Sequence, residues 1–62
     1  MIIAYKSGLL TLASLVSETK DTIRLQPYDQ KSPIVVDKES ESVKVFDSVY
    51  DAIHWIEVNN EL

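Results

Sequence analysis

His54 is the only histidine of the chain, and two carboxylates flank it at helical spacing: Asp51 three residues before it and Glu57 three residues after it. Asp51 could orient the imidazole toward a serine nucleophile, but a catalytic triad also needs an oxyanion hole and a rigid pocket. As metal ligands, the three side chains drift by about 60° around a helix at each step, so they cannot converge on one ion unaided. We therefore expect a solvated, charged ridge here, with neither a catalytic residue nor a metal ligand.

The numbers of glycines and cysteines exclude further kinds of site. The single glycine, Gly8, cannot build a G-x-G-x-x-G loop or a Walker-type loop for phosphate. Because the chain has no cysteine, it has no disulfide, no thiolate metal site and no thiol redox chemistry. The sequence thus predicts a protein that is not an enzyme and uses no cofactor.

Chain length predicts one small domain that spans residues 1–62. A chain of this size buries only about 60% of its unfolded surface, so its stability is marginal without a further stabilising element such as a disulfide, a metal or a partner subunit. Since disulfides are excluded, self-association is the stabilising element that remains, and a homodimer is its simplest form. The N-terminus lacks the pattern of a signal peptide, and no apolar run approaches about 20 residues, which predicts a cytoplasmic protein without a membrane span.

Charge is distributed unevenly along the chain. Residues 1–36 hold four Lys or Arg against three acids, whereas residues 37–62 hold two against seven, so the net charge of −4 comes from the second segment. Nucleic-acid phosphates are bound mainly by Lys and Arg. This balance makes nucleic acid an unfavoured partner and predicts a protein partner with a basic surface.

Alternating apolar residues predict five short strands, at about residues 2–6, 9–17, 22–27, 34–37 and 43–46. The second of these is ambiguous, because its apolar residues also fit helical spacing. We favour a strand, since a short polar loop and a second alternating run follow it, as in a hairpin. Gly8 predicts a turn or bulge before it, and Pro27 is expected to end the third strand.

The strongest helix signal covers residues 48–59. Ser48 followed by Asp51 resembles a capping box, and Asp47 could cap the helix instead. At about 100° per residue, one apolar stripe is predicted to face the core. Its members are Val49, Ala52, Ile53 and Ile56. The expected fold class is α+β: a small, bent antiparallel sheet of about five short strands, of the SH3-like barrel type, closed by one C-terminal helix. The barrel type rests on strand count and order alone.

Four helix residues outside that stripe are apolar or aromatic in character and form the candidate interaction surface: Tyr50, His54, Trp55 and Val58. Tryptophan and tyrosine are enriched in the hot spots of protein interfaces. The strand at residues 9–17 is also apolar on both of its faces, which suits a second subunit. The intramolecular alternative is that Trp55 covers the sheet edge and that barrel closure buries the second face.

The leading hypothesis is a small acidic, non-enzymatic protein-interaction or accessory module. An alternative is a nucleic-acid-associated small barrel with Arg24, Tyr28 and Lys31 as its contacts, because such barrels bind single strands through aromatic and basic residues. A third possibility is an acidic decoy that occupies the site of a DNA-binding protein. The decoy differs from the leading hypothesis because its binding would depend on carboxylates rather than on aromatic side chains.

Overall fold

The computed structural model describes residues 1–60 and contains five strands followed by one helix. The elements in chain order are β1 (Ile2–Tyr5), β2 (Leu10–Glu18), β3 (Thr22–Pro27), β4 (Ile34–Asp37), β5 (Val43–Phe46) and α1 (Val49–Asn60). Each predicted element is present, and its bounds differ from the prediction by at most one residue. The ambiguous second segment is a strand. The last two residues of the predicted domain, 61 and 62, lie outside the described range.

All five strands belong to one antiparallel sheet, whose order is β4-β3-β2-β1-β5. The first four strands form a meander, and β5 returns to pair with β1. The α+β prediction, with five antiparallel strands and a C-terminal helix, is thereby confirmed. The sheet is not closed, because β4 and β5 lie at its two edges and form no ladder with each other.

Gly8 makes the turn between β1 and β2, as its position predicts. Its φ is +108°, in a region of backbone conformation that residues other than glycine rarely adopt. Its N–H donates to the carbonyl oxygen of Tyr5 at 2.8 Å, and the Tyr5 N–H donates to the carbonyl oxygen of Leu9 at 2.9 Å. The turn thus sets the register of the β1–β2 ladder.

The hydrophobic core lies on both faces of the sheet, and β1 contributes to both. On the first face, four buried residues form a cluster: Ile3, Ala13, Leu25 and Val36. On the second face, the buried residues are Ile2, Ala4 and Ala52, with four partly buried side chains against them: Leu10, Phe46, Trp55 and Ile56. α1 packs on this second face, over β1 and β5. β1 is therefore covered on both of its faces.

Ser48 caps the N-terminus of α1. Its Oγ accepts the backbone N–H of Tyr50 at 3.2 Å, and its carbonyl oxygen accepts the N–H of Ala52 at 3.2 Å. Of the two predicted caps, Ser48 rather than Asp47 therefore holds the position. At the other end of the helix, the Asn60 side chain donates to the carbonyl oxygen of Lys6 at 3.0 Å, which ties α1 to the β1–β2 turn.

The predicted core stripe of the helix is wrong in its orientation. Val49 and Ile53 were expected inside, yet they are 44% and 41% exposed, while Ala52 is fully buried and Trp55 and Ile56 are half-buried. The buried side is rotated by about 60° from the predicted stripe. The physical reason is the area of the indole ring, which gains more by packing against the sheet than two β-branched side chains would.

The second face of the sheet is bare beyond the reach of α1. Leu12 on β2 and Val35 on β4 are each 57% exposed, and Tyr28, just after β3, is 70% exposed. We call this part of the second face, on β2, β3 and β4, the open face. Since the sheet is not closed, barrel closure does not bury it, contrary to the intramolecular alternative. Within residues 1–60, no helix is long and apolar enough to cross a membrane.

Candidate interaction surface on the helix

A shallow groove runs along one flank of α1, where the helix meets the end of β5. Its volume is about 420 Å³, and it is lined by Phe46, Asp51, His54, Trp55 and Val58. We call it the helix groove. Four of these residues fall on one side of α1 because positions three, four and seven apart recur on the same face of a helix.

The floor of the helix groove is aromatic. The rings of Phe46 and Trp55 lie with their centroids 6.0 Å apart at an angle of 46°. This is a tilted aromatic contact of the kind that adds to simple area burial. Phe46 is the last residue of β5 and pairs with Ile2 of β1, the strand that is covered on both faces. The floor is therefore held by the best-covered part of the molecule.

The groove also exposes apolar surface to solvent. Val58 is 54% exposed, and Trp55 is only half-buried although it packs against the second-face core. An apolar side chain from a partner could therefore remove further surface of both residues from water. Burial of such surface is favourable by roughly 25 cal/mol per Å².

The rim of the groove carries negative charge. Asp51 lies in the first turn of α1, and both Asp51 and His54 are exposed. The helix contains Asp51 and Glu57 but neither Lys nor Arg, so its charge is not balanced within the element. In residues 1–60, no three His, Asp or Glu side chains come close enough together to hold a metal ion. The arrangement suits binding of an apolar group beside a cation.

Three of the four predicted interaction residues line the groove together, and the fourth does not. His54, Trp55 and Val58 are in the lining, whereas Tyr50 is 85% exposed and lies outside it, one turn before His54. Tyr50 therefore extends the surface along the outer side of the helix.

Phe46 is the lining residue that sequence reasoning missed. The signal was available, because Val43 and Val45 of the same strand alternate with Lys44 and Phe46. Once the two valines face the first-face cluster, Phe46 must face the side on which the helix packs. The last residue of a strand that runs directly into a helix is well placed to contact it.

The residues of the nucleic-acid alternative lie on another part of the surface. Arg24 is exposed on β3 and belongs to the open face, opposite Val35. The Tyr28 hydroxyl accepts a hydrogen bond from Ser14 Oγ at 3.0 Å, and Lys31 is exposed in the segment between β3 and β4. Arg24 forms no ion pair with an acidic side chain among the described residues.

Among the described residues, an ion pair on the sheet joins Lys38 and Glu18 instead. Lys38 Nζ lies 2.6 Å from Glu18 Oε2, with both side chains partly exposed. A pair at the surface contributes little to stability, typically about 0–1 kcal/mol. It joins the end of β2 to the segment after β4. Arg24 takes no part in this ion pair.

Comparison with known proteins identifies no relative. No protein-family model matches the chain, and neither a curated protein nor a solved structure is significantly similar to it.

Proposed function

We propose that this chain is a small acidic, non-enzymatic protein-interaction module that binds the basic surface of a partner protein through the helix groove. The observation that carries the proposal is the aromatic floor of Phe46 and Trp55 beside exposed aliphatic surface, on a helix without any Lys or Arg. Nothing in the lining is a serine, threonine or cysteine nucleophile. Its shape and charge therefore suit recognition rather than catalysis.

Recognition would divide between an apolar anchor and charged surroundings. A partner side chain that enters the groove would bury the exposed parts of Trp55 and Val58, which makes this pair the expected hot spot. A Lys or Arg next to that anchor would lie close to the carboxylate of Asp51, which lines the groove, while Glu57 adds negative charge elsewhere on the same helix. Such rim charges speed up association and select the partner more than they add affinity. Tyr50 provides further contact area outside the groove.

The test is affinity capture from a lysate of the source organism, with and without nuclease, using two matched helix variants. Val58→Lys places a charge in the groove, whereas Ile53→Lys places the same charge on the other flank of α1, where Ile53 is 41% exposed. We expect capture of the partner to persist after nuclease treatment. Ile53→Lys should still capture the partner, whereas Val58→Lys should not. Circular dichroism of both variants controls for folding.

Trp55 supplies an independent reading of the same contact. It is the only tryptophan of the chain, so the tryptophan emission of this chain, measured as the difference from the partner's own emission, comes from the groove. With the captured partner added, the emission should shift to shorter wavelength as the ring loses water. A partner that binds the folded chain without changing this emission, or that binds Val58→Lys as well as wild type, would contradict the proposal.

The nucleic-acid alternative is supported by the joint exposure of Arg24, Tyr28 and Lys31. We propose it as the second candidate, with single-stranded oligonucleotides as the probe. Phosphate contacts release counterions, so binding must weaken steeply as salt rises. If capture of the partner vanishes after nuclease treatment and Arg24→Ala loses oligonucleotide binding, the binding site is the open face and not the helix groove. The decoy hypothesis is distinguished by competition with DNA for the captured partner.

Two finer proposals concern fold type and location. The return of β5 to β1 and the folding of the first face around one buried cluster support an SH3-like barrel type for the sheet. Nuclear Overhauser contacts along the full length of β4 and β5 would establish it. We also propose a cytoplasmic location, on the grounds of a chain without cysteine, and fractionation of the source cells tests it.

A further inference from the structure

The helix groove places a carboxylate, an indole ring and a branched aliphatic side chain in one row. Asp51, Trp55 and Val58 follow each other at spacings of four and three residues, and all three line the groove. Because such spacings recur on one face of a helix, the row starts in the first turn of α1 and runs along its axis. At a rise of about 1.5 Å per residue, the two ends of the row are about 10 Å apart. The groove is therefore acidic at one end and apolar at the other.

The carboxylate at the acidic end is available to a partner. Asp51 is exposed, and within residues 1–60 its side chain takes part in no hydrogen bond and no ion pair. The cap of the helix is Ser48 instead, and α1 has no Lys or Arg that could neutralise Asp51. A purely apolar group over this end of the groove would take water from the carboxylate without replacing it, which is unfavourable. The occupant therefore has to bring a cation.

The indole ring of Trp55 lies between the two ends of the row. It packs against the second-face core and the ring of Phe46, yet it is only half-buried. Cations are attracted to the faces of aromatic rings, and indole is the strongest of these rings. A partly exposed indole next to an unpaired carboxylate suits a group that is both flat and positively charged.

We propose that the helix groove binds an arginine side chain of the partner protein. This inference rests on the proposed function and specifies the group that enters the groove. The aliphatic stem of the arginine would lie along Val58 and Trp55, because such stems cover apolar surface while the charged head stays at the rim. The guanidinium would then pair with Asp51. The apolar anchor and the cation beside it are parts of one side chain.

Arginine fits this row better than the other side chains of a basic surface. Its guanidinium is planar, stacks on aromatic rings and can bind a carboxylate through two parallel hydrogen bonds. Lysine is a strongly hydrated point charge, so it would pair with Asp51 without covering the indole. Leucine would cover Trp55 and Val58 but leave Asp51 without a partner. Of the three, arginine alone complements the whole row.

The first test is an NMR titration of the isotope-labelled full chain with short glycine–serine peptides that carry arginine, lysine, citrulline or leucine at the central position. Citrulline keeps the shape of arginine but has no charge. We expect the arginine peptide to bind roughly three- to tenfold more tightly than each of the others. The indole N–H of Trp55, the amide of Asp51 and the methyl groups of Val58 should shift.

Three outcomes of this titration would overturn the proposal. One is tighter binding of the leucine peptide, which would show that the anchor is purely apolar. Another is equal affinity for the arginine peptide and either the lysine or the citrulline peptide, which would show that the fork or the charge is not recognised. The last is the absence of any shift at the groove with all four peptides at millimolar concentration.

The second test compares two variants that each remove one carboxylate from α1 and keep the size of the side chain. Asp51→Asn changes the groove lining, whereas Glu57→Gln changes an exposed residue of the same helix outside it. Asp51→Asn should lower the affinity for the arginine peptide to that for the citrulline peptide and leave the leucine peptide unaffected. Glu57→Gln should lower it by about twofold or less, since solvent screens an exposed charge. Equal losses in the two variants would contradict the proposal, because the attraction would then come from net charge.

Failure of this inference is distinguishable from failure of the proposed function. Val58→Lys tests whether the captured partner uses the helix groove, whereas the peptides test which side chain enters it. If Val58→Lys loses the partner and the leucine peptide binds most tightly, the proposed function holds and arginine is the wrong occupant. If Val58→Lys still captures the partner, the proposed function is wrong, and the inference about the partner's side chain falls with it.

Discussion

β1 and β4 are strands of equal length in one sheet, yet they have opposite surroundings. β1 is paired on both edges and covered on both faces, whereas β4 is paired on one edge and covered on one face. The difference follows from the size of α1, whose twelve residues span about 18 Å and pack over β1 and β5, at the end of the sheet away from β4. A chain this short can enclose one strand completely, and it leaves the far side of the sheet available for contact.

The largest expected effect is the difference in unfolding free energy between a truncation on β1 and a truncation on β4. Ile3→Ala, at a fully buried position on β1, should lower the free energy of unfolding by about 2–5 kcal/mol, because the cavity cannot collapse in a strand that is held on all sides. Val35→Ala, at a 57% exposed position on β4, should cost about 0.5 kcal/mol or less under conditions where the chain is monomeric. Urea denaturation followed by circular dichroism measures both. Similar losses in the two variants would show that the contrast between the strands is not real.

Trp55 should give the next largest effect, because it belongs partly to the core. Trp55→Ala removes the contact with Phe46 and is expected to cost about 2 kcal/mol, below the 3–5 kcal/mol of a fully buried tryptophan. Trp55→Phe should recover more than half of this loss. Urea denaturation compares the two variants, and a loss below about 0.5 kcal/mol in Trp55→Ala would assign the indole to the surface.

Gly8→Ala should be destabilising for a backbone reason alone. A Cβ at this position would meet nothing within 4 Å, so the cost comes only from the φ of +108°. We expect about 1–2 kcal/mol from the unfavourable left-handed backbone. Thermal unfolding measures it, with Ser7→Ala in the same turn as the control. An unchanged midpoint would mean that the turn adopts another conformation in solution.

The smallest effect is predicted at the start of α1. Ser48→Ala removes the oxygen that accepts the Tyr50 N–H and should cost about 1 kcal/mol. Ser48→Asp keeps an acceptor and adds a charge at the positive end of the helix, so it should be neutral or slightly stabilising. If Asp47→Ala proves more harmful than Ser48→Ala in thermal unfolding, the cap has been assigned to the wrong residue.

The element bounds were predictable because they depend on local signals. The turn at Gly8 and the cap at Ser48 are set by residues within one turn of the positions that they control, and each is where the sequence places it. Alternation of apolar residues likewise gave the strands. Antiparallel order followed from short connections between successive strands, which leave little room for a crossover.

The orientation of the helix was not predictable in the same way. Periodicity identifies an apolar stripe, but α1 has apolar residues on several sides. Which side packs against the sheet depends on the side chains that the sheet places beneath the helix. Phe46 offers an aromatic partner at the end of β5, and Trp55 turns toward it. That choice moved Val49 and Ile53 outward and created the helix groove. A contact between two elements carries information that neither element holds alone.

Residue-level hydrogen exchange at low protein concentration tests the contrast between the two strands most directly. Amides of β1 such as Ile3 and Ala4 should exchange only through global unfolding, since both edges of the strand are paired. Amides of β4 that bond to β3, those of Ile34 and Val36, should open with a lower free energy because one face and one edge are unsupported. Exchange from Ile34 and Val36 as slow as from Ile3 would contradict the account, since β4 would then be as firmly held as the enclosed strand β1.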